Sequence, residues 1–476
     1  MKPPPVTRKQ VWRLTKTSWL KASSPWLESQ IARKPVASLG LCANHKAFMK
    51  KQTPLLVILL SALAIPAQVL AEIAWPDYRG PRHDGSASHA SLPTSWSETK
   101  NIAWKTAVHG RGWSSPVATD GQVWLTTATP DGKDLFVLCV DAVSGKILLD
   151  RKLFHVPKPQ FAHAFNSYAS PSPLIDGNHI FITFGSPGTA CLDRKTHKSL
   201  WQRTDLVCDH FRGAGSSPLL YKNLLILTMD GADFQYLVAL DKQTGKTIWR
   251  TNRSTDFGDL DPNTGLPKRG GDFRKSYATP VLAEVDGQDQ LLSPGAKAVF
   301  AYAPLTGKEI WTVRYGNHSS ASRTLVSQGM AFVNTGYPKA ELLGIRLGGK
   351  GDVTETHVAW RLRKGAPNKP SPVLHDGFLY AVTDGGVASC IHPQTGKIIW
   401  QARIGGEYSA SLLLSNGNIY CFDQEGACTI FKASQKEYSL VSKSNLSGGF
   451  MSSPAVINNF IILRTKTHLY RINKKG

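Results

Sequence analysis

LVALDKQTGKTIWRT, residues 237–251, sets a small residue and an aspartate ahead of a Thr-Gly-Lys turn, with a tryptophan four residues past the glycine. The same spacing returns four times. AYAPLTGKEIW (301–311) and CIHPQTGKIIW (390–400) keep the small residue, the turn and the tryptophan. CLDRKTHKSLW (191–201) replaces only the turn glycine, and CVDAVSGKILL (139–149) only the tryptophan. Recurrence of this kind marks scaffold rather than a single site.

A second signal precedes each copy: Ser-Pro or a close relative, an apolar run, a turn, and another apolar run. It starts at Ser115, Ser172, Ser217, Thr279, Arg323, Ser371, Ser411 and Ser453, at intervals of 40 to 62 residues. Four short strands fit in about 40 residues, the period of a propeller blade. The expected fold is therefore all-β: an eight-bladed propeller of four-stranded blades.

In each blade the Ser-Pro opens the innermost strand, the third strand ends at the aspartate, and Thr-Gly-Lys turns the chain into the outermost strand. Asp241 and Thr244 can bond the free amides of such a turn, and Gly245 tolerates its positive φ. Trp201, Trp249, Trp311 and Trp400 then pack from outermost strands against the neighbouring blade and bond their indole N–H there. The eighth copy stops after Leu469-Tyr470-Arg471 without an outermost strand. NIAWKTAV (101–108) resembles the outer-strand text TIWRTN (247–252), so the N-terminus is expected to close the ring and remove its open edge. The insertion LGGKGDVTET before Trp360 and the stretch FKASQKEY mark blades five and seven as irregular.

The chain ahead of the repeats is of another kind. Met49-Lys-Lys-Gln, an uncharged run to Ala71 that contains Pro66, and Val69 and Ala71 placed for cleavage read as a signal peptide. Residues 1–48 are an extension before it, meaning either that translation starts at Met49 or that the signal has a long basic front. Residues 72–476 form the single propeller domain. The net charge of +22 falls to about +12 once residues 1–71 are set aside, which is still basic. A basic exported protein suits acidic polysaccharide, anionic lipid or acidic protein; with no basic helix, zinc spacing or RNA-binding motif, nucleic acid is not expected.

Cys139, Cys191 and Cys390 fill the slot held by Ala239 and Ala301 in sister copies, which makes them small core residues. In YCFDQEGAC a two-residue turn would set Cys421 opposite Cys428, giving either a cross-strand disulfide or two reduced core thiols.

The spacing A-x-D-x-x-T-G-K-x-x-W, met in full by Ala239, Asp241, Thr244, Gly245, Lys246 and Trp249, resembles the tryptophan-docking repeat of quinoprotein-type propellers. That group takes in pyrroloquinoline quinone (PQQ)-dependent alcohol dehydrogenases and the BamB assembly lipoproteins. WPDYRGPRHDG (75–85), NSYASPSP (166–173) and GAGSSPLL (213–220) are similar to exported BamB-like proteins. The resemblance implies the fold over residues 75–472, and with it either a non-catalytic periplasmic or secreted scaffold or a PQQ- and calcium-dependent oxidoreductase. The adjacent cysteine pair of the dehydrogenases and the lipid-bearing cysteine of BamB are both missing from the matching positions.

In this connectivity the loops entering the innermost strands share one face with those joining second and third strands, opposite the Thr-Gly-Lys turns. Candidate ligand-binding residues are therefore Arg111, Trp113, His163, Asn166, Tyr168, His210, Arg212, Arg274, Lys275, Tyr277, His318, Arg323 and Lys369, with Asp230 and Asp233 in a neighbouring loop. Together they would make a basic, aromatic mouth for a carboxylate, sulfate or acidic sugar. No catalytic residue is assigned. DLDPNTG (259–265) has part of a calcium-loop spacing, but its glycine comes one place late and the glutamate at position twelve is missing. The expectation is a monomeric exported propeller that binds an envelope protein, an anionic glycan or a small ligand through its loop face.

Overall fold

The computed structural model describes residues 74–474. The extension at 1–48 and the signal peptide at 49–71 lie outside the described residues. Eight antiparallel blades of four strands follow one another along the chain, the fourth sheet gaining a short fifth strand. Blades 1 to 7 span residues 117–155, 174–203, 219–252, 281–314, 325–362, 373–403 and 413–445; blade 8 spans 455–472. Its fourth strand is Ile102–Ala107, which pairs antiparallel with His468–Ile472 and sets Trp104 opposite Arg471. The N-terminus thus closes the ring, as the outer-strand text predicts.

The repeat earns its recurrence by joining blades. In the turn of blade 3 the Asp241 carboxylate accepts from the Thr244 amide and hydroxyl, each at 2.8 Å, while Gly245 takes φ of +71°. The ring of Trp201, from blade 2, lies flat against that glycine, where an added Cβ would fall 2.7 Å from the ring. Its indole N–H donates to the Lys242 carbonyl at 3.0 Å. Trp249 docks in the same way on Gly307 and Pro304, Trp360 on Gly396 and Pro393, and Trp104 on Gly145 and Ala142. Each turn is the receptor for the previous blade's tryptophan.

The exceptions follow the same logic. Leu149 replaces the tryptophan of blade 1, and the turn it would meet carries His197 instead of glycine. Arg151 bridges that junction by donating to the His197 carbonyl at 2.6 Å. Trp400 donates to Ser434 in a turn of blade 7 that has no glycine. Trp311 departs from expectation: its indole N–H bonds Gln290 at 2.8 Å within its own blade. The insertion of blade 5 explains this, because its strand Gly351–Asp352 pairs in parallel with the strand that carries Trp311 and occupies the usual docking place.

The core between blades is apolar and divided into clusters, and Cys139, Cys191 and Cys390 are buried in three of them as their slot predicts. Burial pushes the Cys139 and Cys191 thiols up to about 12. The facing arrangement expected for Cys421 and Cys428 is not found. Asp423 accepts from the amides of Glu425, Gly426 and Ala427, making a three-residue turn, so Cys421 pairs with Thr429 and Phe422 with Cys428. Shifting the register by one residue turns the two side chains to opposite faces of the sheet, and both are free thiols.

The eight Ser-Pro positions form a ring around the axis. The Ser453 amide donates to the Ser115 hydroxyl, Ser115 to Ser172, Ser172 to Ser217 and Ser217 to Thr279, at 2.9–3.0 Å. After a break at Arg323 the chain of bonds resumes through Ser371, Ser411 and back to Ser453, at 2.9–3.1 Å. Arg323 has no hydroxyl, and its Nε donates instead to the Pro280 carbonyl at 3.2 Å.

Substituting Gly245→Ala should cost about 1–2 kcal/mol for the left-handed backbone and about 1–3 kcal/mol more for overpacking against Trp201. Gly177→Ala, at φ of +55° with nothing within 4 Å of the added methyl, should show only the backbone share. Urea denaturation of both variants measures the difference, and equal midpoints would refute the docking role.

Candidate functional site

On the face away from the Thr-Gly-Lys turns the axis opens into a cavity of about 480 Å³. Trp113, His163, Asn166, Arg212, Tyr277 and Lys369 line it, which gathers six of the predicted residues in one place. Arg111 stays at the rim, its guanidinium 5.1 Å from the Trp113 ring and bonded to the Ala164 carbonyl. Tyr168 packs over Gly132 in the neighbouring hairpin instead.

The other predicted residues turn inward. Arg274 is buried between Phe257 and Phe273 and pairs with Asp259, so the carboxylate heading the calcium-like stretch is already used. Asp261 of that stretch accepts from the Asn263 and Thr264 amides. Lys275 donates to the Asp230 carbonyl oxygen at 2.9 Å, away from the mouth. Burial pushes the Asp230 carboxyl up, and the Arg253 guanidinium, bonded to both its oxygens at 2.7 and 2.9 Å, offsets this. Asp233 caps the Asp209 and Phe234 amides. His210 is buried with Nε2 3.4 Å from the Cys208 sulfur; burial first, then the charge of Lys275, holds it neutral well below the usual imidazole value. His318 packs edge-on to Tyr337, and desolvation lowers its pKa too.

Arg323 belongs to the floor of the channel. Residues 74–101 form a strap across the ring before the closing strand begins. Trp75 bridges to Ala118 in blade 1, and the Ile175 amide of blade 2 donates to Pro76. Asp77 and the Tyr78 carbonyl take the Arg323 guanidinium, Arg79 reaches the Pro372 carbonyl of blade 6 at 2.6 Å, and Ala87 pairs with Leu414 of blade 7. Although burial raises it, the Asp77 carboxyl lies below its usual value because Arg323 and His83 both face it. The Tyr78 hydroxyl meets Ser411 of the ring at 3.0 Å, so its side chain forms part of the cavity wall. Sequence reasoning missed Tyr78, Phe165, Asp272 and Tyr337 as lining residues; the quoted WPDYRG was the available signal for the first.

At the mouth Arg212 pairs with Asp272 at 3.2 Å, and its Nε is buried without a hydrogen-bond partner. Lys369 lies 3.2 Å from Asp384 and 4.4 Å from the Phe165 ring centre. Asn166 clamps two loops by donating to the Arg212 and Ala214 carbonyls. The His163 Nδ1 accepts from the Phe165 amide, so a neutral ring carries its proton on Nε2. Tyr277 remains a neutral phenol, its pKa raised by burial. The arrangement offers cations, donors and aromatic rings to a small anion.

Eight four-stranded blades, tryptophan docking and an axial cavity define a quinoprotein-type propeller with PQQ-like repeats. A family model described as "Outer membrane protein assembly factor BamB" matches residues 233–476, and the chain belongs to that family. The tetrathionate hydrolase of Acidithiobacillus ferrooxidans is 26% identical over 263 residues, which are 52% of this chain and 48% of the relative. BamB of Yersinia pestis is 26% identical over 180 residues, 36% of this chain and 40% of the relative. The matches thus span about half the length of these curated relatives or less. Among solved structures, a europium-containing methanol dehydrogenase superposes with TM-score 0.55 at 13% identity, covering 83% of this chain and 90% of the other. BamB from Moraxella catarrhalis does so with TM-score 0.53 at 13% identity, covering 78% and 99%. At such identities the likeness is one of fold.

The residues fit a calcium-bound quinone only in part. Rings and cations suit a planar polycarboxylate, but among the described residues no group of three or more His, Cys, Asp or Glu is gathered to hold a metal ion. Asp272, the acidic side chain lining the cavity, is paired with Arg212. Among the described residues no carboxylate cluster for a metal is therefore gathered there.

Asp77→Asn leaves Arg323 buried without its counter-charge and should cost about 3–5 kcal/mol in chemical denaturation. A cost below 1 kcal/mol would remove the strap from the stabilising elements. His210 is neutral in the fold, whereas an unfolded chain takes up that proton from about pH 6.5 downward. Its contribution is complete above that pH and is lost as pH falls towards the folded value. His210→Gln should therefore flatten the stability profile between about pH 6.5 and 5 relative to the parent.

Proposed function

We propose that the chain is an exported propeller that works by binding, holding an anionic ligand or an anionic segment of an envelope protein in its axial mouth. The observation that carries this is the meeting of Arg212, His163 and Lys369 with Trp113, Tyr277 and Tyr337 around one cavity, where the single lining carboxylate is already paired. Cations beside aromatic rings suit oxyanion recognition. The relative named for tetrathionate is named for an oxyanion of sulfur, which agrees in ligand class. Membership of the BamB-described family supports an envelope setting, and the text of residues 49–71 supports export. Among the described residues no helix is long and apolar enough to cross a membrane. The alternative, a PQQ oxidoreductase, is supported by the fold and by the axial position of the cavity.

Tryptophan fluorescence of the purified chain, titrated with a sulfated oligosaccharide and with PQQ with and without calcium, separates these readings. Saturable quenching by the oligosaccharide should weaken as NaCl rises from about 50 to 500 mM, since screening shortens from roughly 14 to 4 Å. Arg212→Ala with Lys369→Ala should lose at least about tenfold in affinity, or about 1.4 kcal/mol. Calcium-dependent stoichiometric retention of PQQ, with no response to other anions, would replace the binding reading by the oxidoreductase one.

A further inference from the structure

The Ser-Pro ring leaves a chemical remainder. Ser115, Ser172, Ser217, Thr279 and Ser453 each accept a main-chain N–H from the preceding blade, and all five line the cavity. None is more than 6% exposed. Among the described residues no acceptor takes the hydroxyl proton of any of the five. The three other ring positions differ: the Ser411 hydroxyl donates to Ser371 at 2.9 Å and neither serine lines the cavity, while Arg323 is turned to the strap. Donors thus cover a continuous arc from blade 8 to blade 4, with Tyr78 closing the opposite side.

Charge around the arc has the same sign. Arg79 is buried in the strap and bonds the carbonyls of Asp84 and Pro372. Arg464 is buried beside Ser114 and bonds the Ser114 hydroxyl and the Ser114 and Thr126 carbonyls. Neither guanidinium is spent on a carboxylate, and each retains a buried Nε without a partner. One buried positive charge, Arg464, therefore lies beside the crown at Ser114, and a second, Arg79, lies across the channel beside Pro372. Buried donors of this kind call for an acceptor.

We propose that this hydroxyl crown is the seat for the head of a sulfate ester or sulfonate, entering along the axis with the rest of the ligand between Trp113 and Tyr277. A tetrahedral head spreads three oxygens around its own axis, which matches donors set around the channel better than the two coplanar oxygens of a carboxylate. Each crown oxygen already accepts one main-chain N–H, so the O–H is what it chiefly offers a ligand. A phosphate monoester that keeps a proton must turn a ring hydroxyl into an acceptor, while a sulfate is fully deprotonated and takes every O–H as a donor. The side-chain acceptors Asp272 and Asn368 sit in the loops ahead of the ring. This assignment rests on the mouth being an anion site and narrows it to one ligand class.

The test is fluorescence titration of the full chain with phenyl sulfate, phenyl phosphate and benzoate, for the parent, Ser217→Ala and Ser371→Ala. Each variant removes one hydroxyl that accepts a ring amide, but only Ser217 offers its proton to the cavity. Phenyl sulfate should bind the parent most tightly, weaken at least about tenfold in Ser217→Ala, and stay within about twofold in Ser371→Ala, with thermal melts of the two variants alike. Anion binding that ignores Ser217→Ala, that falls equally in both variants, or that prefers phosphate overturns the crown while leaving the mouth an anion site. Failure of all three probes to bind overturns both.

Discussion

The stacking of an outer-strand tryptophan on the turn glycine of the next blade is the contact from which the rest of the ring follows. A blade has two apolar faces and cannot bury them alone, so its geometry is fixed only when a neighbour takes up a set angle. Ring, glycine and indole N–H fix that angle through a flat contact and one directed bond. Trp104 extends this device across the seam between the last blade and the first. Where tryptophan and glycine are lost together, at Leu149 and His197, an arginine takes over the bridging.

The outer docking contacts set the blades, and the inner ring then positions chemistry. Seven hydroxyls and one arginine occupy equivalent places, but the strap breaks their equivalence by crossing under blades 5, 6 and 7. One side of the channel is filled by Tyr78 and the other retains open hydroxyls. A nearly symmetric repeat thereby acquires a directional cavity, without any blade having to abandon its own hydrogen bonds.

The fold was legible because its signals are local and periodic. Asp241, Thr244 and Gly245 act within six residues of each other, and the ring closure showed itself as outer-strand text at the wrong end of the chain. The mouth was legible at the level of loops, since strand direction decides which loops share a face. Single side chains were not. In FRKSY (273–277), Arg274 and Lys275 turn inward because Asp259 and the Asp230 carbonyl lie there, while Tyr277 turns to the cavity. Nothing periodic announces such partners. The placing of Cys421 opposite Cys428 failed over one residue of turn length, which the Asp423 carboxylate decides by gathering three amides.

The strap and closing strand are made before any blade, yet their partners include Leu414 of blade 7 and the strand His468–Ile472 of blade 8. Blades 1 and 2 can take up Trp75 and Pro76 early, but the closing strand must wait for blade 8. Until then the blades form an open arc with two unpaired ends, and the cavity has no floor. Completion of the ring and completion of the binding site are one event, so losing the strap with its closing strand, or blade 8, loses both together.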